Sequence, residues 1–204
     1  MHVNFPIKLV LVRHSITAGN LARQYIGSTD QPLCQEGINL AKSFTLSMPH
    51  VDRVYCSPML RCSQTAALLY PSHVLHKVAN LREVDFGIFE GKTYAQLAAD
   101  PEYQKWIASA GALPPPGGEG TKQFSNRCVT SLRSILDELA RDNISHAACV
   151  IHGGSIMSIM TALASPKRQY YDWQVDNCCG FVVKANPLSR QLILLEDLHI
   201  KREI

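Results

Sequence analysis

The sequence predicts an α/β fold, a three-layer α/β/α sandwich with a mostly parallel central sheet. Short apolar runs rich in β-branched residues are typical of strands buried on both faces of such a sheet. Segments with apolar residues at helical spacing separate these runs, so helices are expected on both faces of the sheet. Because 204 residues suffice for one core but are few for two, we predict a single domain over residues 1–204.

Six segments are predicted to be strands. Residues 7–12 form the clearest one, since a single lysine interrupts their apolar run. The other five are 54–56, 74–78, 147–151, 180–184 and 191–195. The last two flank the turn sequence Asn186-Pro187, so we expect a hairpin or two adjacent edge strands. An edge strand there is able to pair with a second copy of the chain, which leaves a homodimer open.

Four helices are predicted between and after the strands. The first covers residues 36–47. The second begins at Ser57-Pro58, where the serine suits the N-cap and the proline the first helical position. The third covers 121–141, where apolar residues recur at helical spacing. The fourth follows Gly153-Gly154.

Composition and charge exclude several classes of function. The net charge is +3 and only 18% of residues are charged, which is too little for a nucleic acid or anionic membrane surface. No apolar run approaches the roughly 18 residues of a membrane span, and the first residues do not resemble a signal peptide. The seven cysteines lack zinc-site spacing. We therefore predict a cytoplasmic protein whose cysteines are small buried apolar groups.

Polar residues follow three of the predicted strands, at the edge where α/β folds bind ligands. Arg13-His14 follows the first strand, and His152-Gly153-Gly154 follows the strand at 147–151. Arg61 lies in or just past the first turn of the helix after Ser57, where its guanidinium is able to share an anion with free backbone N–H groups. This edge is therefore the candidate site for an anionic ligand.

A fourth segment, residues 81–91, supplies a candidate acid. Glu83 lies there among glycines and phenylalanines, and a carboxyl group near apolar rings has reason to stay protonated. Phosphoryl transfer needs such an acid, a nucleophile and donors around the phosphoryl oxygens. A neutral histidine is able to be the nucleophile, and a neighbouring arginine keeps it neutral. No Asp-rich metal site or Walker-type loop is visible, so we expect no metal or cofactor.

The ordered set of these motifs resembles the histidine phosphatase superfamily, also called the phosphoglycerate-mutase-like family. The resemblance covers about residues 7–165. Each motif alone is weak evidence, but their order is highly specific. The motifs are Leu11-Val12-Arg13-His14, Gly27 to Leu33, Ser57-Pro58 with Arg61, Leu81 to Gly91, Pro116 to Glu119 and His152-Gly153-Gly154.

The resemblance implies a role for each motif. His14 would be the nucleophile that becomes phosphohistidine, and Glu83 the general acid for the leaving alcohol and then the base for water. Residues 81–120 would form a short lid that partly covers the pocket and sets substrate choice. The phosphate pocket would comprise Arg13, Asn20, Arg61, His152 and Gly153. Arg13, Arg61 and His152 would also be catalytic.

Three positions depart from the family pattern without removing a catalytic group. Ser15 stands where the signature has glycine, and its hydroxyl is a candidate extra donor. Cys34 replaces the usual threonine or serine before the first predicted helix, which should weaken that N-cap. Met157 stands where many relatives carry a basic residue.

The leading interpretation is a metal-independent phosphomonoester hydrolase that acts on a small phosphorylated metabolite. The sequence around Glu83 and at 116–119 is most similar to small bacterial phosphatases, which include the α-ribazole-5′-phosphate phosphatases. Phosphoglycerate mutase is the alternative, but in that branch the acid precedes a basic and aromatic run, whereas Val84-Asp85-Phe86 follows it here. A non-catalytic protein that binds a phosphorylated ligand is a third possibility, which only Ser15 supports.

Aromatic residues near Glu83 are candidates for an apolar or base-stacking subsite. They are Phe86, Phe89 and Tyr94, of which at least one is expected in the core instead. A chain of 204 residues holds the α/β domain and one short lid. It leaves little room for the larger insertions that would hold a bulky substrate.

Overall fold

A computed structural model of the chain describes residues 5–199, which form one seven-stranded sheet with helices on both faces. The strands are β1 (Ile7–Arg13), β2 (Arg53–Cys56), β3 (Leu75–Lys77), β4 (His146–Ile151), β5 (Ala164–Ser165), β6 (Gly180–Ala185) and β7 (Leu192–Leu198). Their order across the sheet is β3-β2-β4-β1-β6-β7-β5. β1 to β4 run parallel, whereas β6 is antiparallel to both of its neighbours, β1 and β7.

The helices are α1 (Ala18–Leu21), α2 (Gln35–Phe44), α3 (Leu60–Leu69), α4 (Tyr94–Leu97), α5 (Pro101–Ala108), α6 (Thr121–Arg141) and α7 (Gly153–Leu163). Short 3-10 turns cover Thr45–Ser47, Ala79–Leu81, Gly87–Phe89 and Tyr170–Trp173. No helix within residues 5–199 is both long and apolar enough to cross a lipid bilayer.

Two apolar cores lie on the two faces of the sheet, as the three-layer prediction requires. Successive residues of β1 point to opposite faces, so Leu9 and Leu11 join one core and Val10 and Val12 the other. The first core includes the apolar faces of α6 and α7, and the second those of α2 and α3. All four residues are at most 1% exposed, which explains why β1 reads as a continuous apolar run.

The predicted hairpin is confirmed, because β6 and β7 pair in antiparallel register around the connection at 186–191. The expectation of an edge position for β7 is wrong over its first two residues. There β5 pairs with the outer side of β7, at Leu192 and Ile193. β5 has only two residues, too short for a periodic pattern to reveal it.

The predicted start of α3 at Ser57-Pro58 is also wrong, since the helix begins at Leu60. Ser57 continues the sheet instead, because its N–H donates to the carbonyl of Val150. The helix is capped from a distant loop, where Oδ1 of Asp30 accepts from the N–H of Leu60 at 2.7 Å. A tertiary contact therefore replaces the local cap that the sequence indicated.

The 81–120 segment has an apolar cluster of its own, separate from the two sheet cores. Phe89, Leu97 and Tyr103 are buried in it, and Tyr25 and Trp106 pack against them. The hydroxyls of Tyr25 and Tyr103 lie 2.6 Å apart, in a hydrogen bond that joins the α1–α2 connection to α5. This cluster places aromatic side chains of the segment at the carboxyl edge of the sheet.

Candidate active site

A cavity of about 200 Å³ opens at the carboxyl edge of the parallel strands; we call it the small cavity. Five of the predicted site residues line it, namely Arg13, His14, Asn20, Glu83 and Gly153. The other two, Arg61 and His152, do not line it. They lie in a fully buried layer beside His14, whose ring meets that of His152 edge to face with centroids 5.2 Å apart.

His14 is held as a neutral imidazole with one nitrogen available. Its Nδ1 lies 2.6 Å from the carbonyl oxygen of Ser15, a contact that requires the proton on Nδ1. Nε2 therefore carries the lone pair. Burial, together with the guanidinium groups of Arg61 and Arg13, holds the pKa of His14 well below its ordinary value of 6.5. A neutral imidazole with a free lone pair on Nε2 is the form that a histidine nucleophile requires.

Arg13 is the last residue of β1, and its backbone is hydrogen-bonded to Cys178 and Cys179, just before β6. Its Nη1 donates to the carbonyl of Val175 at 2.8 Å. Its Nε is buried and has no hydrogen-bond partner among the residues described. A buried guanidinium with an uncommitted N–H at a cavity that includes His14 is suited to an anion.

Arg61 is fully buried, and three of its N–H groups are committed to the protein. Nη1 donates to the carbonyl of Thr29 at 2.8 Å and Nη2 to that of Gly27 at 2.7 Å. Nε donates to Nδ1 of His152 at 3.2 Å. Because Nδ1 of His152 accepts, its Nε2 carries the proton and donates to Oγ of Ser57 at 2.8 Å. Burial and Arg61 hold the pKa of His152 well below its ordinary value.

Glu90 fixes the loop on which Arg61 depends. Its carboxylate accepts hydrogen bonds from the backbone N–H groups of Gly27, Ser28, Thr29 and Phe86, and from the hydroxyl of Thr29. Burial opposes the charge, but these hydrogen bonds hold the pKa of Glu90 below its ordinary value. The 81–120 segment and Arg61 are therefore connected through loop 27–29.

Glu83 lies against the start of α7 with its carboxyl group in the small cavity. Oε2 accepts from the N–H of Gly154 and Oε1 from that of Val84, both at 3.0 Å. Burial raises the pKa of Glu83 above its ordinary value, although these N–H groups and the nearby arginines oppose the shift. A Cβ at position 154 would lie 2.5 Å from Oε1 of Glu83, so a larger residue there would displace this carboxyl group. The raised pKa favours a protonated carboxyl group in the cavity that His14 also lines.

A second cavity of about 550 Å³ adjoins the small one; we call it the aromatic cavity. Both are lined by Tyr25, Glu83, Phe86, Gly154 and Met157. The rest of the aromatic cavity is lined by Val84, Trp106, Ile107, Ala110, Gly111, Pro115, Glu119, Thr121, Phe124, Tyr170 and Tyr171. This lining contains no lysine, arginine or histidine.

The aromatic cavity corrects two expectations. Of the three proposed subsite residues only Phe86 lines it. Phe89 is fully buried in the cluster of the 81–120 segment, which confirms the core position expected of at least one of them, and Tyr94 is 64% exposed. The chain also has more room for a substrate than its length suggested. Tyr170 and Tyr171, which lie far along the chain, line the cavity together with residues of the 81–120 segment.

Two departures from the family pattern have a structural explanation. Ser15 is fully buried, and its hydroxyl donates to the carbonyl of Gly37 at 2.7 Å, so it does not serve as an extra donor for an anion. Cys34 is the N-cap residue of α2 and makes no side-chain capping bond, as predicted. Its thiol instead donates to the carbonyl of Ile16 at 3.4 Å.

Several residues that shape the site were not found by sequence reasoning. Val175 holds Arg13, and the amide of Asn177 donates to the backbone carbonyl of His14 at 2.9 Å. Both precede β6, which runs antiparallel and so begins at the edge where the parallel strands end. For Asn177 the available signal was a polar residue just before an antiparallel strand, whereas Val175 acts through its backbone carbonyl and left no signal in the sequence. Within residues 5–199 no group of three or more potential ligand side chains is arranged to hold a metal ion.

The fold and this histidine-centred site define a phosphoryl-transfer enzyme of the α/β class. The sequence profile of the histidine phosphatase superfamily (branch 1) matches residues 9–197. The chain belongs to that superfamily, and the predicted family, fold class and phosphatase class are confirmed.

Individual relatives agree with this assignment. The chain is 31% identical to the adenosylcobalamin/α-ribazole phosphatase of Salmonella typhimurium, over 85% of this chain and 88% of the relative. The crystal structure of the α-ribazole phosphatase from Shigella flexneri matches with a TM-score of 0.80 and 25% identity, covering 94% and 96% of the two chains. A phosphoglycerate mutase from Bacillus anthracis shares the fold, with a TM-score of 0.77 and 23% identity over 95% and 93%.

Proposed function

We propose that this enzyme hydrolyses a phosphomonoester whose leaving alcohol carries an apolar, aromatic group, with α-ribazole 5′-phosphate as the candidate substrate. The observation that carries the proposal is the aromatic cavity, which shares Glu83 with the small cavity and offers rings but no cation. A planar base is suited to such walls, because ring stacking and apolar burial both stabilise it there. The named activities of the Salmonella and Shigella proteins support the same substrate class.

The first half-reaction transfers the phosphoryl group to His14. Nε2 attacks phosphorus, the N–P bond forms, and the bond to the leaving oxygen breaks as Glu83 gives that oxygen its proton. The phosphoryl oxygens are proposed to bind the free Nε of Arg13, the N–H of Gly153 and the side chain of Asn20.

The second half-reaction releases phosphate. The carboxylate of Glu83 takes a proton from water, the water oxygen attacks phosphorus, and the P–N bond breaks to restore neutral His14. Arg61 supplies buried positive charge behind the small cavity, and His152 holds Arg61 in place through the 3.2 Å bond. After one turnover His14 is again neutral and Glu83 is again protonated. No step in this cycle uses a metal ion.

The two alternative functions have weaker support. A mutase must retain a second acidic group of its substrate, and the aromatic cavity contains no lysine, arginine or histidine for it. Met157 presents an apolar side chain to both cavities instead. The interpretation as a non-catalytic binding protein had only Ser15 as its support. The hydroxyl of Ser15 donates to the carbonyl of Gly37, and this serine leaves the proposed catalytic groups unchanged.

A substrate panel assayed with EDTA present tests this function. We expect α-ribazole 5′-phosphate to have a higher kcat/KM than phosphoserine or 3-phosphoglycerate, because the last two bring a carboxylate into a cavity without cations. Hydrolysis should exceed any mutase activity. Mutase activity above hydrolysis would contradict the phosphatase mechanism, loss of activity with EDTA would contradict metal independence, and no turnover of any ester would favour the binding protein.

A pair of aromatic variants shows whether the cavity recognises the substrate. Trp106→Ala removes a wall of the aromatic cavity and should lower kcat/KM for α-ribazole 5′-phosphate by about tenfold. Methyl phosphate, which does not reach the wall, should change little. Tyr94→Ala is the matched control, since that ring is 64% exposed and does not line the cavity. Equal losses for both substrates would remove the cavity from substrate binding.

Glu90→Gln is expected to weaken phosphate binding through Arg61. The amide group of glutamine would face N–H and O–H donors of loop 27–29, so the carbonyls that hold Arg61 should shift. We expect the inhibition constant of inorganic phosphate to rise by about 3- to 10-fold. Glu36→Gln, in the exposed first turn of α2, is the control. An unchanged inhibition constant in folded Glu90→Gln would show that Glu90 does not act on the phosphate pocket.

We further propose a single domain in which the 81–120 segment acts as the lid. Its aromatic side chains form one wall of the aromatic cavity, which supports a role in substrate choice. A cytoplasmic location is supported by the cysteines, of which six are buried as small apolar groups. A homodimer stays a prediction, with the outer side of β7 beyond Ile193 as its candidate surface.

A further inference from the structure

We propose that Arg127 is a positioning residue for the acid, holding the backbone of Glu83 so that its carboxyl group meets the leaving oxygen. This inference rests on the proposed function, because it assigns Glu83 the role of proton donor. Arg127 lies on α6 and is not among the residues that line either cavity.

All five N–H groups of Arg127 are committed. Nε and Nη2 donate to the two carboxylate oxygens of Glu119, at 2.7 and 2.6 Å. The remaining three bonds reach backbone carbonyls of one short stretch, Asn80 at 2.8 Å, Arg82 at 2.6 Å and Glu83 at 2.9 Å. A planar fork with five donors is able to serve this set of acceptors at once.

Glu83 is consequently held at both ends. Its backbone carbonyl is bound by Arg127 from α6, and its carboxyl group by the N–H of Gly154 at the start of α7. The two helices pack against each other in the same core. A general acid must come within hydrogen-bond distance of the leaving oxygen, so a small displacement of residue 83 reduces proton transfer.

Glu119 completes the arrangement from the other end of the 81–120 segment. Its side chain is 10% exposed and that of Arg127 is 12% exposed, so the pair is shielded from water. The N–H of Glu119 donates to the carbonyl of Asp85. Arg127 therefore joins the beginning and the end of the 81–120 segment to α6, directly at the proposed acid.

The test measures how strongly kcat/KM depends on the leaving group. Phenyl phosphate and p-nitrophenyl phosphate have similar shapes, but phenolate is much the more basic leaving group and needs protonation. Arg127→Lys keeps the charge, yet one nitrogen is unable to reach all five acceptors. We expect the ratio of kcat/KM for p-nitrophenyl over phenyl phosphate to rise by about tenfold, a fraction of the 10²–10⁴-fold that general acids contribute.

A merely structural role would lower both rates together and leave the ratio unchanged, which would overturn the inference. Arg53→Lys is the matched control, because Arg53 also binds two acids, Glu138 and Asp142, but at the opposite end of the sheet. Its ratio should equal that of the wild type. If Arg127→Lys does not fold, the same ratio is measured in Glu119→Gln, which loosens the same guanidinium. An unchanged ratio in Glu119→Gln then overturns the positioning role, and a raised ratio supports it.

Glu83→Gln in the same assay separates this inference from the proposed function. A raised ratio in Glu83→Gln with an unchanged ratio in Arg127→Lys overturns the positioning role and leaves the phosphatase mechanism intact. An unchanged ratio in Glu83→Gln overturns the acid role and the positioning role together. Raised ratios in both variants, with Arg53→Lys unchanged, support the inference.

Discussion

His14→Ala is expected to lower kcat/KM for p-nitrophenyl phosphate by at least about 10³-fold, because it removes the atom that bonds to phosphorus. The neighbouring ring of His152 is unable to substitute. Both nitrogens of His152 are engaged, with Arg61 and with Ser57, and its ring is fully buried.

Two measurements test this. Steady-state kinetics give kcat/KM, and rapid quenching followed by acid treatment shows how much of the phosphate bound covalently to the enzyme is acid-labile and how much is acid-stable. The wild type should carry an acid-labile phosphoryl group, as phosphohistidine does, and His14→Ala should carry none. His50→Ala is the control, since His50 is exposed in the loop before β2. Labelling or activity that survives in His14→Ala would remove His14 from the nucleophilic role.

Glu83→Gln is expected to lower kcat/KM for phenyl phosphate by about 10²-fold or more, and for p-nitrophenyl phosphate far less. The amide cannot give up a proton, and only the phenolate leaving group needs one. kcat/KM reports the steps up to phosphoryl transfer, so hydrolysis of the phosphoenzyme does not enter the comparison. Equal losses on the two esters would remove Glu83 from the acid role.

The pH dependence provides a second readout for Glu83. Burial raises its pKa, so the protonated acid persists to higher pH than for an ordinary glutamate and is lost as pH rises through that value. The kcat/KM for phenyl phosphate should therefore fall on the alkaline side, and this fall should be absent in Glu83→Gln. His14, whose pKa is lowered by burial, should add no loss until the pH is well below 6.5. If kcat/KM for phenyl phosphate falls equally at alkaline pH in the wild type and in Glu83→Gln, Glu83 is not the general acid.

Elements with a strong local pattern were predicted from the sequence with little error. β1 is almost the predicted segment, and α6 covers 121–141 as predicted, because burial on both faces or along one stripe leaves a periodic record in the residues. The start of α3 was missed since Asp30, thirty residues earlier, supplies its cap. Such a contact leaves no periodic signal in the helix itself.

In the candidate site, too, some features were predictable from the sequence and others were not. His14 and Gly153 follow directly from parallel strands, so a topological rule was enough to bring them to one edge. Whether Arg61 lines the cavity or lies behind it was not predictable, because that depends on the carbonyls of Gly27 and Thr29.

The sequence by itself determined the fold class and the family, and it provided the candidate catalytic residues, since each depends on residue type and local order. The tertiary structure alone decided the burial that lowers the pKa of His14, the fixed position of Glu83 and the aromatic cavity. These properties arise from burial and from contacts between segments far apart in the chain, such as Tyr25, Trp106 and Tyr170. A desolvated charge or an enclosed volume exists only when those segments meet, so no single stretch of residues encodes it.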